Sequence, residues 1–146
     1  MDAFIGEIRM FAGNFAPQGW MFCQGQILPI EQFTSLYSLL GTFYGGNGVT
    51  TFALPDLRGR VPIGTGQGQQ LSWYNIGQSG GAEHLTLISS QIPATAQVIH
   101  PNTGDSSEGE LAVLTPGASE QPFYNMPPFL AINFIIAVAG IYPPRE

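Results

Sequence analysis

The chain has 146 residues and a net charge of −6, and all four of its basic residues are arginines. Nucleic-acid binding and attachment to anionic membranes need a cationic surface, so this charge balance excludes the first and disfavours the second. The lack of lysine also excludes Schiff-base chemistry and a Walker-type phosphate site. Charged residues make up only 10% of the sequence, while Gly and Pro number 19 and 12. This composition favours a turn-rich β protein over a helical one.

Two strand patterns open the chain. Residues 4–12 alternate, with Glu7 and Arg9 on one face, and a Pro-x-Gly turn then leads into a second strand at Trp20. Trp20 shares a strand face with Phe22, which predicts a core anchor in preference to a platform for a sugar ring. Cys23, the only cysteine, follows and is predicted to be a buried small hydrophobic residue.

The apolar period changes after Pro29. From Ile30 onward, apolar residues recur at i, i+3, i+6, i+7 and i+10, which predicts an amphipathic helix at about residues 30–40. Pro29 is acceptable in a first helical turn, and Gly41 is the expected stop. The glycine-rich loop at 43–48 then contains an Asn-Gly pair that suits positive φ angles.

The stretch at 50–64, TTFALPDLRGRVPIG, holds half of the basic residues of the chain. Its start predicts a strand, and the turn contains Asp56, Arg58, Gly59 and Arg60. The structural interpretation is that Asp56 caps the turn and pairs with an arginine that clamps the fold. The alternative is direct contact of the arginines with a ligand or a neighbouring subunit.

Glycine-rich loops follow this stretch and present Trp73 and Tyr74 between them. We reject a phosphate cradle here, because no helix pattern or lysine accompanies the glycines. Together with Tyr44, the two aromatic residues are candidates for ligand binding. The last third contains an acidic loop at 102–110 and an apolar run at 129–141, which predicts a strand buried on both faces and too short to span a bilayer.

No catalytic pattern is present around the serines, histidines or carboxylates, so the sequence predicts a protein that is not an enzyme. For metals, the grouped candidates are Glu83, His84, His100 and Asp105, whose spacing matches no standard zinc pattern. We therefore expect no metal and no cofactor. The N-terminus also lacks the basic region and long apolar region of a classical signal peptide.

Four motifs in this order resemble the phage tail collar domain family, and most closely its small bacterial members called microcystin-dependent proteins. They are IGEIRMFAGNFAPQGWMFCQGQ, LYSLLGTFYGGNG, TTFALPDLRGRVPIG and NMPPFLAINFIIAVAG. The resemblance covers nearly all of the chain outside about 91–121. It implies a mainly β, α+β fold with one short α-helix in a single loop-rich domain. We divide residues 1–146 into a collar motif at 1–88, a variable loop region at 89–121 and a buried C-terminal strand at 122–146.

The resemblance also implies a structural or adhesive protein in a virion, a phage-like particle or an extracellular appendage. The short tail fibres of this family are homotrimers with a His-x-His pair around an axial metal. Here the corresponding run is Pro93-Ala94-Thr95-Ala96-Gln97, so the resemblance carries no metal site to this chain. Two functions follow as alternatives: self-assembly into a trimer or fibre, and binding of a cell-surface glycan or other receptor.

Overall fold

The computed structural model describes residues 3–85 and 123–144, which contain nine short strands and one helix. This confirms, for the described residues, the prediction of a mostly β fold with one short helix. The strands are β1 (Ile8–Phe11), β2 (Trp20–Phe22), β3 (Ile27–Pro29), β4 (Thr51–Ala53), β5 (Gly66–Gln67), β6 (Trp73–Tyr74), β7 (His84–Leu85), β8 (Phe123–Tyr124) and β9 (Asn133–Ala137), and the helix is α1 (Thr34–Leu40).

The described residues belong to two compact units. The first unit takes its residues from 1–80 and 130–146, and the second from 81–129. In the second unit β7 pairs with β8 in antiparallel fashion, with His84 opposite Tyr124 and the two ring centroids 5.2 Å apart. The division of the chain into a single domain with three segments stays a prediction.

The main sheet of the first unit has the strand order β1-β9-β2. The strand nearest the C-terminus therefore lies between the two strands nearest the N-terminus, with Arg9 opposite Ile135 and Met21 opposite Ile136. Ile135, Ile136 and Ala137 are all buried, and consecutive strand residues face opposite sides of a sheet. This end of β9 is thus covered on both faces, as predicted.

The predicted buried strand does not, however, extend over the whole apolar run. β9 begins only at Asn133, and Phe129 and Leu130 before it are exposed. The expectation of burial from 129 onward was therefore wrong, because only the part of the run that pairs with β1 and β2 enters the sheet.

The helix begins later than the sequence predicts. Pro29 lies in β3 opposite Thr51, and the Ile30 amide donates to the Thr50 carbonyl at 2.9 Å. Sheet pairing thus occupies the residues assigned to the first helical turn, and α1 starts at Thr34. The predicted stop is confirmed, since Gly41 has φ +52° and its amide donates to the Tyr37 carbonyl at 2.8 Å.

The core of the first unit is built around β4. Phe52 and Leu54 are completely buried and pack with Leu36 of α1 and Ile136 of β9. Cys23 belongs to the same cluster, and burial raises the pKa of its thiol to about 12. The prediction that Cys23 is a buried small hydrophobic residue is confirmed. Within the described ranges, no helix has the length and apolar character needed to cross a membrane.

Candidate functional site

The Asp56 turn is attached to the core by backbone hydrogen bonds. The Leu57 amide donates to the Cys23 carbonyl at 3.0 Å, and the Gly25 amide donates to the Pro55 carbonyl at 3.3 Å. Gln24 and Asp56 form an isolated antiparallel bridge between these two contacts. The buried strand β4 thereby places the Asp56 carboxylate beside the segment that follows β2.

Asp56 and Arg58 form a two-pronged ion pair. Arg58 Nε donates to Asp56 Oδ1 at 2.9 Å, and Arg58 Nη2 donates to Oδ2 at 2.7 Å. The Arg58 amide donates to Oδ1 as well, at 3.2 Å, so the carboxylate also caps the turn. The Arg58 side chain, followed by its amide, lowers the pKa of Asp56 to about 2. The predicted cap and pair are therefore present in the structure.

Both side chains of the pair are in contact with water. The side chains of Arg58 and Asp56 are 64% and 38% exposed. An ion pair in contact with water contributes little to global stability, because solvent screens the attraction and ordering long side chains costs entropy. The role of the pair as a clamp of the whole fold stays a prediction, and its three hydrogen bonds order the turn itself.

Gly59 and Arg60 have different environments. Gly59 has φ +63° in the turn that the Arg60 amide closes on the Leu57 carbonyl at 3.2 Å. The Arg60 side chain is exposed and makes no hydrogen bond within the described part of the chain. Its charge contributes only a smaller part of the lowered pKa of Asp56. The structure thus brings Asp56 and Arg58 together and leaves Arg60 at the surface.

A second cluster with charged residues lies on the main sheet. The Arg9 guanidinium carbon is 5.1 Å from the centroid of the Trp20 ring, and Arg9 Nε donates to Glu7 Oε1 at 2.7 Å. The Glu7 pKa is lowered, first by this hydrogen bond from Arg9. Trp20 is half-buried and does not belong to the core cluster. The predicted strand face shared by Glu7 and Arg9 could have indicated their pairing, whereas the contact with Trp20 depends on β9 lying between β1 and β2.

The Arg9 and Trp20 side chains border a shallow open depression, which small residues such as Gly19 and Gly140 also line. Both sides of Arg9 are already occupied, by Glu7 and by the indole ring. This arrangement fits a structural role for the cluster, which links the two edge strands β1 and β2 across β9.

The three aromatic candidates for ligand binding differ in exposure. Trp73 and Tyr74 form β6 and are exposed, and Trp73 Nε1 donates to Asn75 Oδ1 at 2.9 Å. Tyr44 is half-buried and packs against the core, and desolvation raises its pKa. Of the three candidates, Trp73 and Tyr74 are therefore the two that are exposed to solvent.

These two residues belong to a longer exposed segment of the first unit, residues 61–76, which we call the arm. All of its residues except Gly66 are exposed. The arm lacks charged side chains, and its exposed apolar residues are Val61, Ile63, Leu71, Trp73, Tyr74 and Ile76. Composition and exposure together make the arm a candidate contact surface.

The predicted metal candidates are only partly described. Glu83 and His84 lie in the second unit, while His100, Asp105 and the run at 93–97 lie outside the described residues. Within residues 3–85 and 123–144, no group of three ligating side chains could hold a metal ion. The expected absence of a metal and of a cofactor stays a prediction.

Comparison with known proteins gives two matches. Residues 6–62 match the family model of the Phage Tail Collar Domain. The chain is also similar to the short tail fiber protein gp12 of Enterobacteria phage T4, with 36% identity over 73 residues. This alignment covers 49% of the present chain and 14% of that protein, so the chain spans only a small part of its relative.

The collar-domain match coincides with most of the folded core. Residues 6–62 include β1 to β4 and α1, and they supply all the buried residues of the core cluster except Ile136. The predicted resemblance to the tail collar domain is confirmed over this range. Particular closeness to the microcystin-dependent proteins stays a prediction.

Proposed function

We propose that this chain, whose residues 6–62 match the phage tail collar domain, is a non-enzymatic structural subunit of a phage or phage-like tail. The observation that carries the proposal is the coincidence of the matched range with the core of the first unit. The similarity to a protein named as a short tail fiber supports the same assignment. Such a subunit belongs to a virion, a phage-like particle or a related extracellular appendage.

The subunit works as a homo-oligomer, either a trimer or a fibre. In the described ranges, twenty large apolar side chains are exposed, whereas ten apolar residues are buried. Exposed apolar side chains that lie close together, as those of the arm do along the chain, mark protein contacts, because monomeric proteins rarely expose large apolar patches. Charged residues, which keep the surface of a separate monomer soluble, are also scarce in this chain.

A non-enzymatic role is consistent with the chemistry of the described residues. The thiol of Cys23 is buried, and its pKa is raised, which disfavours the reactive thiolate. The Asp56 carboxylate is held in its charged form by Arg58, which disfavours a role as a proton donor near neutral pH. Each of these groups is engaged in packing or in ordering a turn.

A receptor-binding or glycan-binding module is the alternative function. Trp73 supports it, because its ring is exposed while its indole N–H is fixed by Asn75. An exposed aromatic ring held in one orientation suits stacking against a sugar. Tyr74 follows it in β6 and is a second candidate for contact with the ligand. The half-buried Tyr44 packs against the core and has less of its ring available for such a contact.

Light scattering coupled to size-exclusion chromatography tests the assembly function, with negative-stain electron microscopy of the same fractions. We expect a stable oligomer or a filament that persists on dilution. A monodisperse monomer at all concentrations would overturn the assembly proposal. For the alternative, binding on a glycan array that Trp73→Ala abolishes without changing oligomer size would favour receptor recognition by β6.

A further inference from the structure

The arm, residues 61–76, carries apolar side chains that do not reach the core. Val61 is 84% exposed, and Ile63, Leu71 and Ile76 are exposed as well. None of them belongs to the core cluster or to the partly buried residues packed against it. In the separate chain these side chains leave much of their apolar surface in water, so a surface that covers them is favoured.

The hairpin within the arm also lacks support from other strands. β5 and β6 pair over only two residues each, with Gly66 opposite Tyr74 and Gln67 opposite Trp73. No third strand of the described residues joins them. An isolated two-stranded hairpin is at best marginally stable, and it needs a third strand or a packed apolar face.

Both ends of the arm are nevertheless fixed to the first unit. It begins after the turn in which the Arg60 amide donates to the Leu57 carbonyl, and it ends just before Gly77. Gly77 has φ +77°, and a Cβ placed there would overlap the carbonyl oxygen of Phe43. The backbone at 77 therefore lies directly against the residues that follow α1. Because its ends are already held in place, the arm loses less entropy when it binds a partner.

The charge distribution favours one kind of partner. Between Arg60 and Glu83 the sequence has no acidic or basic residue, although the chain as a whole carries a net charge of −6. Two copies of an acidic chain repel each other wherever their carboxylates meet. An uncharged apolar segment is the surface at which identical acidic chains can approach without that cost.

From these four observations we infer that the arm packs on a second copy of this chain and forms the subunit interface. This inference rests on the homo-oligomer proposed above and assigns its contact surface. The apolar side chains of the arm lie against the neighbouring copy, and the two-residue ladder of β5 and β6 is stabilised by that packing.

A matched pair of substitutions tests the assignment. Val61→Asp places a carboxylate in the arm, and Val49→Asp places one in the loop before β4, where the valine is 80% exposed. Sedimentation equilibrium should show association weakened at least about tenfold for Val61→Asp, because its carboxylate would lose contact with water at an apolar interface. Val49→Asp should associate as the unmodified chain does. Far-UV circular dichroism checks that each variant is folded.

Photo-crosslinking is a second test, and it does not depend on placing a charge in the arm. A benzophenone side chain introduced at position 71 should give covalent oligomers on irradiation, whereas the same group at position 49 should leave monomers. If the unmodified chain is an oligomer but neither the association constant nor the crosslinking distinguishes the arm from position 49, the arm is not the interface. If the unmodified chain is a monomer at all concentrations, the proposed assembly itself is wrong.

Discussion

The guanidinium group of Arg9 in β1 lies over the ring of Trp20 in β2, with its carbon 5.1 Å from the ring centroid. The two strands do not pair with each other, because β9 lies between them. The contact therefore bridges the full width of the main sheet. Glu7 holds the other side of Arg9 through the bond to Nε.

Removal of this bridge should weaken the sheet by a measurable amount. A cation–π contact at a partly exposed site contributes about 0.5–1 kcal/mol, so Arg9→Ala should lower the free energy of unfolding by about that much. A double-mutant cycle with Trp20→Leu isolates the contact in urea titrations. When Trp20→Leu is already present, the effect of Arg9→Ala should shrink, and an undiminished effect would show that Arg9 stabilises the sheet in another way.

The glycines of the loops should differ sharply in their tolerance of substitution. Gly46 has φ +94°, and an added Cβ would overlap the Cα of Phe52, a fully buried residue of β4. Gly64 has an ordinary φ and open space around it. We expect Gly46→Ala to lower the melting temperature strongly or to prevent folding. Gly64→Ala should leave the protein intact and stabilise it by about 0.4–1 kcal/mol through the unfolded state.

The outcome at Gly46 also tests how the core is built. If Gly46→Ala melted at the temperature of the unmodified chain, the close approach of the 45–48 loop to β4 would be wrong. Thermal unfolding followed by circular dichroism is sufficient, because the two variants differ only in where one methyl group is added.

Local patterns in the sequence predicted much of the fold. The strands at β1, β2 and β4, the stop at Gly41 and the burial of Cys23 follow from alternation, turn chemistry and hydrophobicity over a few residues. The late start of α1 could not be read in this way. It depends on Pro29 and Ile30 pairing with residues near Thr51, about twenty positions away in the chain.

At the candidate site, too, local sequence patterns predicted some contacts and missed those that depend on distant residues. The sequence predicted that Asp56 pairs with an arginine of its turn, and the structure identifies that arginine as Arg58. Their exposure depends on what covers the turn, and no local pattern contains that information. The contact of Arg9 with Trp20 was not foreseen, because it requires the C-terminal strand to enter the sheet between them.

Asn47 organises the loop before β4 through a set of hydrogen bonds that the Asn-Gly pattern only partly indicated. Its Oδ1 accepts from the amides of Val49, Thr50 and Thr51 at 2.9–3.0 Å. Its Nδ2 donates to the hydroxyl of Thr50 at 2.9 Å. One side chain therefore satisfies three consecutive amides at the entry to the central strand of the core.

Asn47→Ala should lower the free energy of unfolding by about 1–2 kcal/mol, since water replaces only part of these bonds at an exposed loop. Asn47→Asp keeps the acceptor oxygen and is the matched control, with a smaller loss expected. Urea unfolding of the two variants checks this. Equal losses for both would mean that the amide donor to Thr50, and not the shared acceptor, carries the effect.

The Asp56–Arg58 pair should be visible in the titration of one carboxyl group. Its pKa is lowered from 3.8 to about 2, first by the Arg58 side chain and then by the Arg58 amide. Because the folded-state pKa is depressed, the stabilising contribution is complete above pH 3.8 and is lost as the pH falls towards 2. The exposure of both side chains keeps this contribution small. Between about pH 5 and pH 8 Asp56 is deprotonated in the folded and the unfolded state alike, so the pair should produce no change in stability there.

Carbon-detected NMR should show the Asp56 midpoint near 2 in the unmodified chain and a shift towards 3.8 in Arg58→Gln, with nearly unchanged unfolding at neutral pH. Arg60→Gln is the control and should move the midpoint less, because Arg60 makes only the smallest contribution to the lowered pKa. An equal shift in both variants would show that the net positive charge of the turn, and not the two-pronged bond, holds the carboxylate in its charged form.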